Sequence, residues 1–241
     1  MNEKIAIVTG GTGALGRYIV NRFADENIKV YVPSLSLEKF NEIFDNSQKS
    51  DDKFKIRKIY SFLCDSGDEK SVKDFVANVA SLENGKIDIL INTIGGYHPE
   101  KNIYEMSTDF FDKHWELNFK STFRFSREVL GYMRKNNFGR IISIGSMAGL
   151  ETTPGRFAYA VSKSAVVNLM DTISAELKKE NIRCNTIVPG TIDTPANREW
   201  GSEEDFKNWV KPEEIADIIF DLVSDKFKSV RESIIKVYGS F

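Results

Sequence analysis

The chain has 241 residues, 41% of them hydrophobic and 28% charged, with a formal net charge of -2. Length and composition suit one large α/β domain over residues 1–241 and exclude a disordered or fibrous chain. The small net charge offers no field for nucleic acid or anionic lipid, so neither nucleic-acid nor membrane partners are expected. Two cysteines, Cys64 and Cys184, are too few for a disulfide framework, and no Cys/His cluster has metal-site spacing. No apolar stretch approaches the ~20 residues of a membrane span. The N-terminal apolar run is too short for a signal peptide. A soluble, cytoplasmic protein is the expectation.

In chain order the pattern predicts a strand over residues 4–9, a helix over 14–26, a strand over 29–32 and a helix over 37–44. A polar surface loop over 46–53 follows, then a strand over 55–63, a helix over 69–81 and a strand over 87–92. The second half reads as a long helix over 107–136, a strand over 140–143, a helix over 157–180, a strand over 183–188, a helix over 212–225 and a strand over 233–238. The strands are short and nearly continuous in apolar residues, as in parallel strands covered on both faces. Their alternation with helices implies right-handed crossovers and a Rossmann-type, doubly wound parallel sheet of about seven strands. Asp68 or Ser66 can cap the helix over 69–81, and Pro212 stands where a first-turn proline belongs. Residues 193–210 interrupt the alternation just after a strand and mix charges with Trp200, Phe206 and Trp209. Open α/β sheets bind ligands at that end, so this segment reads as a substrate lid.

The first strand runs into Thr9-Gly10-Gly11-Thr12-Gly13-Ala14-Leu15-Gly16-Arg17. Glycines let a backbone turn tightly and approach a pyrophosphate, and the helix that follows offers free N–H groups. Gly11, Gly13 and Gly16 read as G-x-G-x-x-G; the same residues also read as T-G-x-x-x-[A/G]-x-G from Thr9 and Gly10.

Tyr159 and Lys163 are four residues apart on a predicted helix and share a face. A lysine ammonium beside a tyrosine favours the phenolate and lowers a pKa that is otherwise ~10, which suits acid–base work. Ser146 precedes Tyr159 by thirteen residues at the end of a strand, where a second hydroxyl can polarise a carbonyl oxygen. Ser143, within that strand, reads as structural.

Together these motifs resemble the short-chain dehydrogenase/reductase family over nearly the whole chain. The resemblance implies a catalytic tetrad of Asn118, Ser146, Tyr159 and Lys163 and an NAD(P)(H) cofactor. It assigns to that cofactor the turn Gly10–Arg17, Asp65 at the adenine, Asn92 and Gly95 after the fourth strand, and Pro189, Gly190, Ile192 and Thr194 at the nicotinamide. Tyr159 would donate a proton to the substrate oxygen as hydride reaches the carbon. Lys163 would hold the nicotinamide ribose and depress the tyrosine pKa, Ser146 would orient the substrate oxygen, and Asn118 would hold a water linking Lys163 to solvent. The family's paired long helices imply a homodimer or homotetramer through 107–136 and 157–180.

Two departures matter. Where the family often has N-N-A-G, this chain has Asn92-Thr93-Ile94-Gly95, and Ile94 is expected to pack against a neighbouring helix. The second strand ends in Pro33-Ser34-Leu35-Ser36, with neither an acid for the adenosine ribose nor an arginine for a 2′-phosphate. The missing repulsion, with Ser34, Ser36 and Arg17 as contacts, tilts the expectation to NADP(H).

The substrate pocket is expected from Tyr97, His98, Met147, Leu150, Phe157 and the lid with Trp200. His98 reads first as a surface residue, His114 as structural and Arg198 as a surface ion pair with Glu203 or Glu204. The small-molecule partner is a carbonyl or alcohol. A dihydropteridine-type reductase is the alternative, since Gly95-Gly96-Tyr97 and Asp193–Arg198 are similar to that subgroup of the family. A non-catalytic redox sensor would predict a broken tetrad.

Overall fold

The computed structural model describes residues 3–44, 58–97, 101–151 and 153–239. The loop expected over 46–53, the start of the strand expected at 55 and His98 lie outside the described residues.

Seven strands form one parallel sheet: β1 (Ile5–Thr9), β2 (Lys29–Ser34), β3 (Ile59–Leu63), β4 (Ile89–Asn92), β5 (Gly139–Ile144), β6 (Ile182–Pro189) and β7 (Ser233–Val237). Their order is β3-β2-β1-β4-β5-β6-β7, and every adjacent pair is parallel. Chain order reverses between β1 and β4, so the loops leaving their carboxyl ends diverge and open a crevice.

Strand alternation supplies both faces of the sheet. Ala6 and Val8 of β1 face one apolar cluster, shared with α1 (Gly16–Asp25), α2 (Leu37–Phe44) and α9 (Pro212–Val223). Ile5 and Ile7 face the other, shared with α3 (Glu69–Leu82), α5 (Ser121–Lys135) and α6 (Phe157–Glu176). Phe23 and Phe125 are fully buried, one in each cluster. Burial of such a ring contributes about 1.5–3 kcal/mol.

Of the two candidate caps, Asp68 holds the start of α3, accepting from the Lys70 and Ser71 amides at 2.8 and 3.4 Å. Pro212 stands in the first turn of α9.

The helix expected over 107–136 is continuous but not uniform. It runs as α4 (Thr108–Trp115), a π-helical turn (Glu116–Lys120) and α5. The helix expected to reach 180 ends at Glu176. The lid segment contains α7 (Pro195–Arg198), capped by Thr194, and α8 (Glu203–Asn208), opened by a Ser202/Asp205 capping box. No helix among the described residues is long and apolar enough to cross a membrane.

Candidate active site

A cavity of about 630 Å³ opens at the carboxyl end of the sheet, over the β1/β4 divergence. One wall is nearly all backbone. The turn after β1 has Gly10 at φ +64°, a left-handed conformation that suits glycine. A Cβ on Gly16 would fall 2.2 Å from the Gly10 carbonyl oxygen, so α1 can start this close to β1 only as glycine. A Cβ on Gly11 would instead meet Val32 and Val20, so Gly11 serves helix–strand packing and does not line the cavity. The T-G-x-x-x-[A/G]-x-G reading therefore fits better than the one beginning at Gly11.

Gly10, Thr12, Gly13, Ala14, Leu15 and Gly16 all line the cavity. A nucleotide pyrophosphate fits such a glycine cradle at a helix start. Pro189, the last residue of β6, and Gly190, Ile192 and Thr194 after it line its other side.

The opposite wall carries the side chains. Ser146 ends the loop after β5, and its hydroxyl accepts from the Ala148 amide at 3.3 Å. Tyr159, in the first turn of α6, hydrogen-bonds the Ser146 side chain. Lys163 lies one turn further, 4% exposed, and donates from Nζ to the Ile144 carbonyl at 2.9 Å. Burial pulls its ammonium down to about 8.

The expected depression of the tyrosine by Lys163 is not what sets its environment. Burial pushes the Tyr159 hydroxyl up, and the Ser146 hydrogen bond and the Arg156 charge oppose that rise. Lys163 is itself desolvated and tied to the Ile144 carbonyl.

Asn118 sits fully buried at the middle of the π turn. Its Oδ1 accepts from the Gly96 amide at 2.9 Å, and its Nδ2 donates to the Gly96 carbonyl at 3.0 Å. A Cβ on Gly95 would meet Asn118 Oδ1 at 2.8 Å and Lys163 Nζ at 3.0 Å, so the carboxamide and the ammonium flank one point.

Several expected site residues stand apart from the cavity. Asn92 is buried, and its Nδ2 donates to Ser126 and Ser143 hydroxyls at 3.2 and 3.1 Å, joining β4 to β5 and α5. Ser34 donates to the Ser36 carbonyl at 2.8 Å within its own turn. Asp65 accepts from the Gly67 amide at 2.8 Å. Arg17 lines a neighbouring depression with Tyr18, Arg198 and Lys211.

On the substrate side Tyr97, Met147 and Trp200 line the cavity, and the Tyr97 ring packs edge-on to Tyr159 at 5.3 Å. Leu150 and Phe157 do not; they line a separate depression of about 480 Å³, and Phe157 stacks on Phe111 at 6.1 Å. Phe157 is two residues before Tyr159, and helical residues so spaced point apart.

Arg198 pairs with Asp193, at 2.5 and 2.7 Å, instead of Glu203 or Glu204. The short α7 turns it back over the lid's first residue. Ile94 packs against the second apolar cluster and also borders the cavity. His114 is buried, with Nδ1 3.0 Å from the Phe110 carbonyl.

The cavity also holds residues that sequence reasoning missed, chiefly Arg156, Thr93 and Asn197. Thr93 donates to the Thr9 carbonyl at 2.6 Å and stitches the β4 loop to the β1 end. Arg156 is three residues before Tyr159, a spacing that shares a helical face and was the available signal.

Known proteins resemble this chain over nearly its full length. The family profile described as short chain dehydrogenase matches residues 4–205. A 7alpha-hydroxysteroid dehydrogenase of Bacteroides fragilis is 30% identical, covering 98% of this chain and 93% of its own. A 3-oxoacyl-acyl-carrier-protein reductase of Thermotoga maritima is 28% identical, covering 99% and 98%. The crystal structure of an NAD+-bound xylitol dehydrogenase shares the fold with TM-score 0.87 at 24% identity, covering 98% of each chain. With the glycine cradle at one wall and the dehydrogenases and reductases among its relatives, the chain belongs to the short-chain dehydrogenase family and is a nicotinamide-dependent oxidoreductase of hydroxyl and carbonyl groups.

Proposed function

We propose that the protein interconverts a small-molecule carbonyl and its alcohol, with Tyr159 as the general acid and base. The observation that carries this reading is the meeting of Ser146, Tyr159 and Lys163 in the same cavity as the glycine cradle. The bound nicotinamide supplies or accepts the hydride. Gly10 and Thr12–Gly16 would hold its pyrophosphate, Pro189, Gly190, Ile192 and Thr194 the nicotinamide end, and Lys163 the ribose. Ser146 and Tyr159 present two hydroxyls to one substrate oxygen, and Tyr159 passes the proton as charge develops there. Asn118 fixes the Gly95–Gly96 backbone beside Lys163 and would hold a water between that lysine and solvent. The sheet and the lid over 193–210 act as one domain, with Trp200 covering the substrate.

NADP(H) is the proposed cofactor. The reading is supported by the absence of a carboxylate from Pro33 to Leu37 at the end of β2; Glu38 follows only in α2. We further propose that the chain works in the cytoplasm, in keeping with its two free, buried cysteines, as a homodimer or homotetramer. The oligomer is supported by a ladder of partly exposed rings, Phe111, Trp115, Phe119 and Phe123, along α4, the π turn and α5.

The test is oxidation of NADPH and NADH against a carbonyl panel that includes a quinonoid dihydropteridine, with Tyr159→Phe alongside. Turnover in the wild type that collapses in the variant supports the reading. Equal turnover in the variant overturns it.

A further inference from the structure

The lid carries a stack of rings whose last member is left uncovered. The Arg198 guanidinium lies over the Phe206 ring at 4.9 Å, Phe206 packs against Trp209 at 5.0 Å, and Trp209 packs against Trp200 at 5.0 Å. Phe206 and Trp209 are half-buried, whereas Trp200 is 66% exposed and borders the cavity. Tyr97, also exposed, borders the same cavity with Leu117 and Met147. Open aromatic and apolar surface gathered at one concavity is what a ligand completes.

The stack is anchored at its base. Val210, next to Trp209, donates to the Thr191 carbonyl at 2.9 Å and accepts from the Asp193 amide at 2.8 Å, so the two ends of the lid are joined. A Cβ on Gly201 would run into the Trp209 and Phe206 rings, so the residue after Trp200 has to be this small for the rings to close up. A platform held in place before its ligand arrives loses little freedom on binding. The polar lid residues at the cavity hold the lid itself. Asn197 donates from Nδ2 to the Ile192 carbonyl at 2.8 Å, and the Thr194 hydroxyl accepts from the Asn197 amide at 3.2 Å. No Asp or Glu lines the cavity among the described residues, so a cation on the indole would find no counter-charge there.

We propose that Trp200 is a specificity-determining residue that selects carbonyl substrates bearing a neutral aromatic ring near the reacting carbon. The inference rests on the proposed carbonyl reduction and names its substrate class. Ring pairs in offset or edge-on arrangements attract beyond the area they bury. Saturating a ring thickens it and adds apolar surface, so burial alone favours the saturated analogue. A preference for the aromatic ring therefore reports contact with a flat π face. In the forward direction hydride from the reduced nicotinamide forms the new C–H bond and the Tyr159 proton forms the O–H bond. The C=O π bond breaks, the nicotinamide leaves oxidised, and Tyr159 regains its proton from solvent.

The experiment compares phenylacetone with cyclohexylacetone and 2-tetralone with 2-decalone, using the full chain, both reduced cofactors, and the variants Trp200→Leu and Trp200→Phe. In neither pair is the aromatic ring conjugated with the carbonyl, so saturation leaves the reacting group alone. The wild type is expected to favour the aromatic member of at least one pair by about two- to tenfold in kcat/KM, seated in KM. Trp200→Leu should bring that ratio to about one or below, and Trp200→Phe should keep part of it. A Trp200→Leu variant that loses activity on both members by the same factor assigns Trp200 to lid packing alone and overturns the proposal. So does a wild type that prefers the saturated member of both pairs. Calorimetric titration of the enzyme–NADPH complex with 1-phenyl-2-propanol and 1-cyclohexyl-2-propanol reads the ring site without chemistry, because the cofactor is already reduced. If none of the four ketones turns over, tighter binding of the phenyl alcohol that Trp200→Leu loses still supports the ring site and counts only against the carbonyl-reductase reading. With no turnover, equal binding of the two alcohols, or binding of neither, overturns the ring site itself.

Discussion

The two walls of the cavity are built differently. The wall after β1 is glycine backbone, held by a left-handed Gly10 and by the close approach of Gly16, and a side chain there would fill the space it provides. The wall over α6 and the lid is made of side chains, Tyr97, Met147, Arg156 and Trp200, whose positions depend on packing. A backbone wall can recognise only what its N–H groups and shape admit, and tolerates little change. A side-chain wall can be altered residue by residue. The first suits a common cofactor, the second a particular substrate, and Ser146, Tyr159 and Lys163 stand at the seam.

The largest expected effect comes from the seam. Tyr159→Phe should retain fold and cofactor affinity yet lose about 10²–10⁴-fold in kcat, measured by NADPH oxidation beside a cofactor titration. A variant that lost cofactor affinity instead would place Tyr159 in the backbone wall's work.

Next comes the backbone wall. Gly16→Ala puts a methyl group against the Gly10 carbonyl and should weaken cofactor binding about tenfold or more, with substrate preference unchanged. A binding isotherm that matched the wild type would show that the turn can open without cost.

Lys163→Met sharpens the comparison through pH. The folded-state pKa of Lys163 is pulled to about 8 from an ordinary 10.5, so the unfolded chain binds more protons between those values. Below pH ~8 the buried ammonium destabilises the fold in full, and this penalty disappears as pH rises towards 10.5. Lys163→Met should therefore melt higher than the wild type at pH 7, and the gap should close by about pH 10.5 in thermal scans. A gap that did not vary with pH would point to packing instead.

The smallest effect belongs to the lid. Asp193→Asn loosens the exposed Arg198 pair and should raise substrate KM by at most about fivefold, with cofactor affinity unaltered. A change in cofactor affinity would tie the lid to the other wall.

Legibility followed the same division. Parallel strands, alternation and the glycine turn were readable because each is a local pattern: continuous apolar runs, a period of 3.6, glycines between a strand and a helix. The Tyr159/Lys163 pair was readable only in company, with Ser146 thirteen residues before it and the other motifs in order, because its spacing alone arises by chance. Phe157 and Leu150 are expected in the pocket but line a separate depression; for Phe157, two residues along a helix from Tyr159 turn the side chain away. Arg156, at three, was the better choice. Asn92 and Ser34 could not be separated from ligand contacts, because their partners, Ser126 and Ser143 for one and the Ser36 carbonyl for the other, are set by the folded chain. The π turn left no trace in composition, since Glu116–Lys120 contains no glycine or proline. What marks it is the reciprocal pair of hydrogen bonds between Asn118 and Gly96, which only the assembled fold supplies.

That turn sets the phase of everything after it. An i to i+5 turn carries one residue more than an α-turn. Were the same residues wound as regular α-helix, the extra residue would rotate the 15 residues of α5 by roughly 100°. Phe125, Val129 and Met133 would swing off the sheet in the same motion that withdrew Asn118 from Gly96. Core and active site therefore depend on one winding of this helix, the π turn that keeps α5 in phase with the sheet while it holds Asn118 against Gly96.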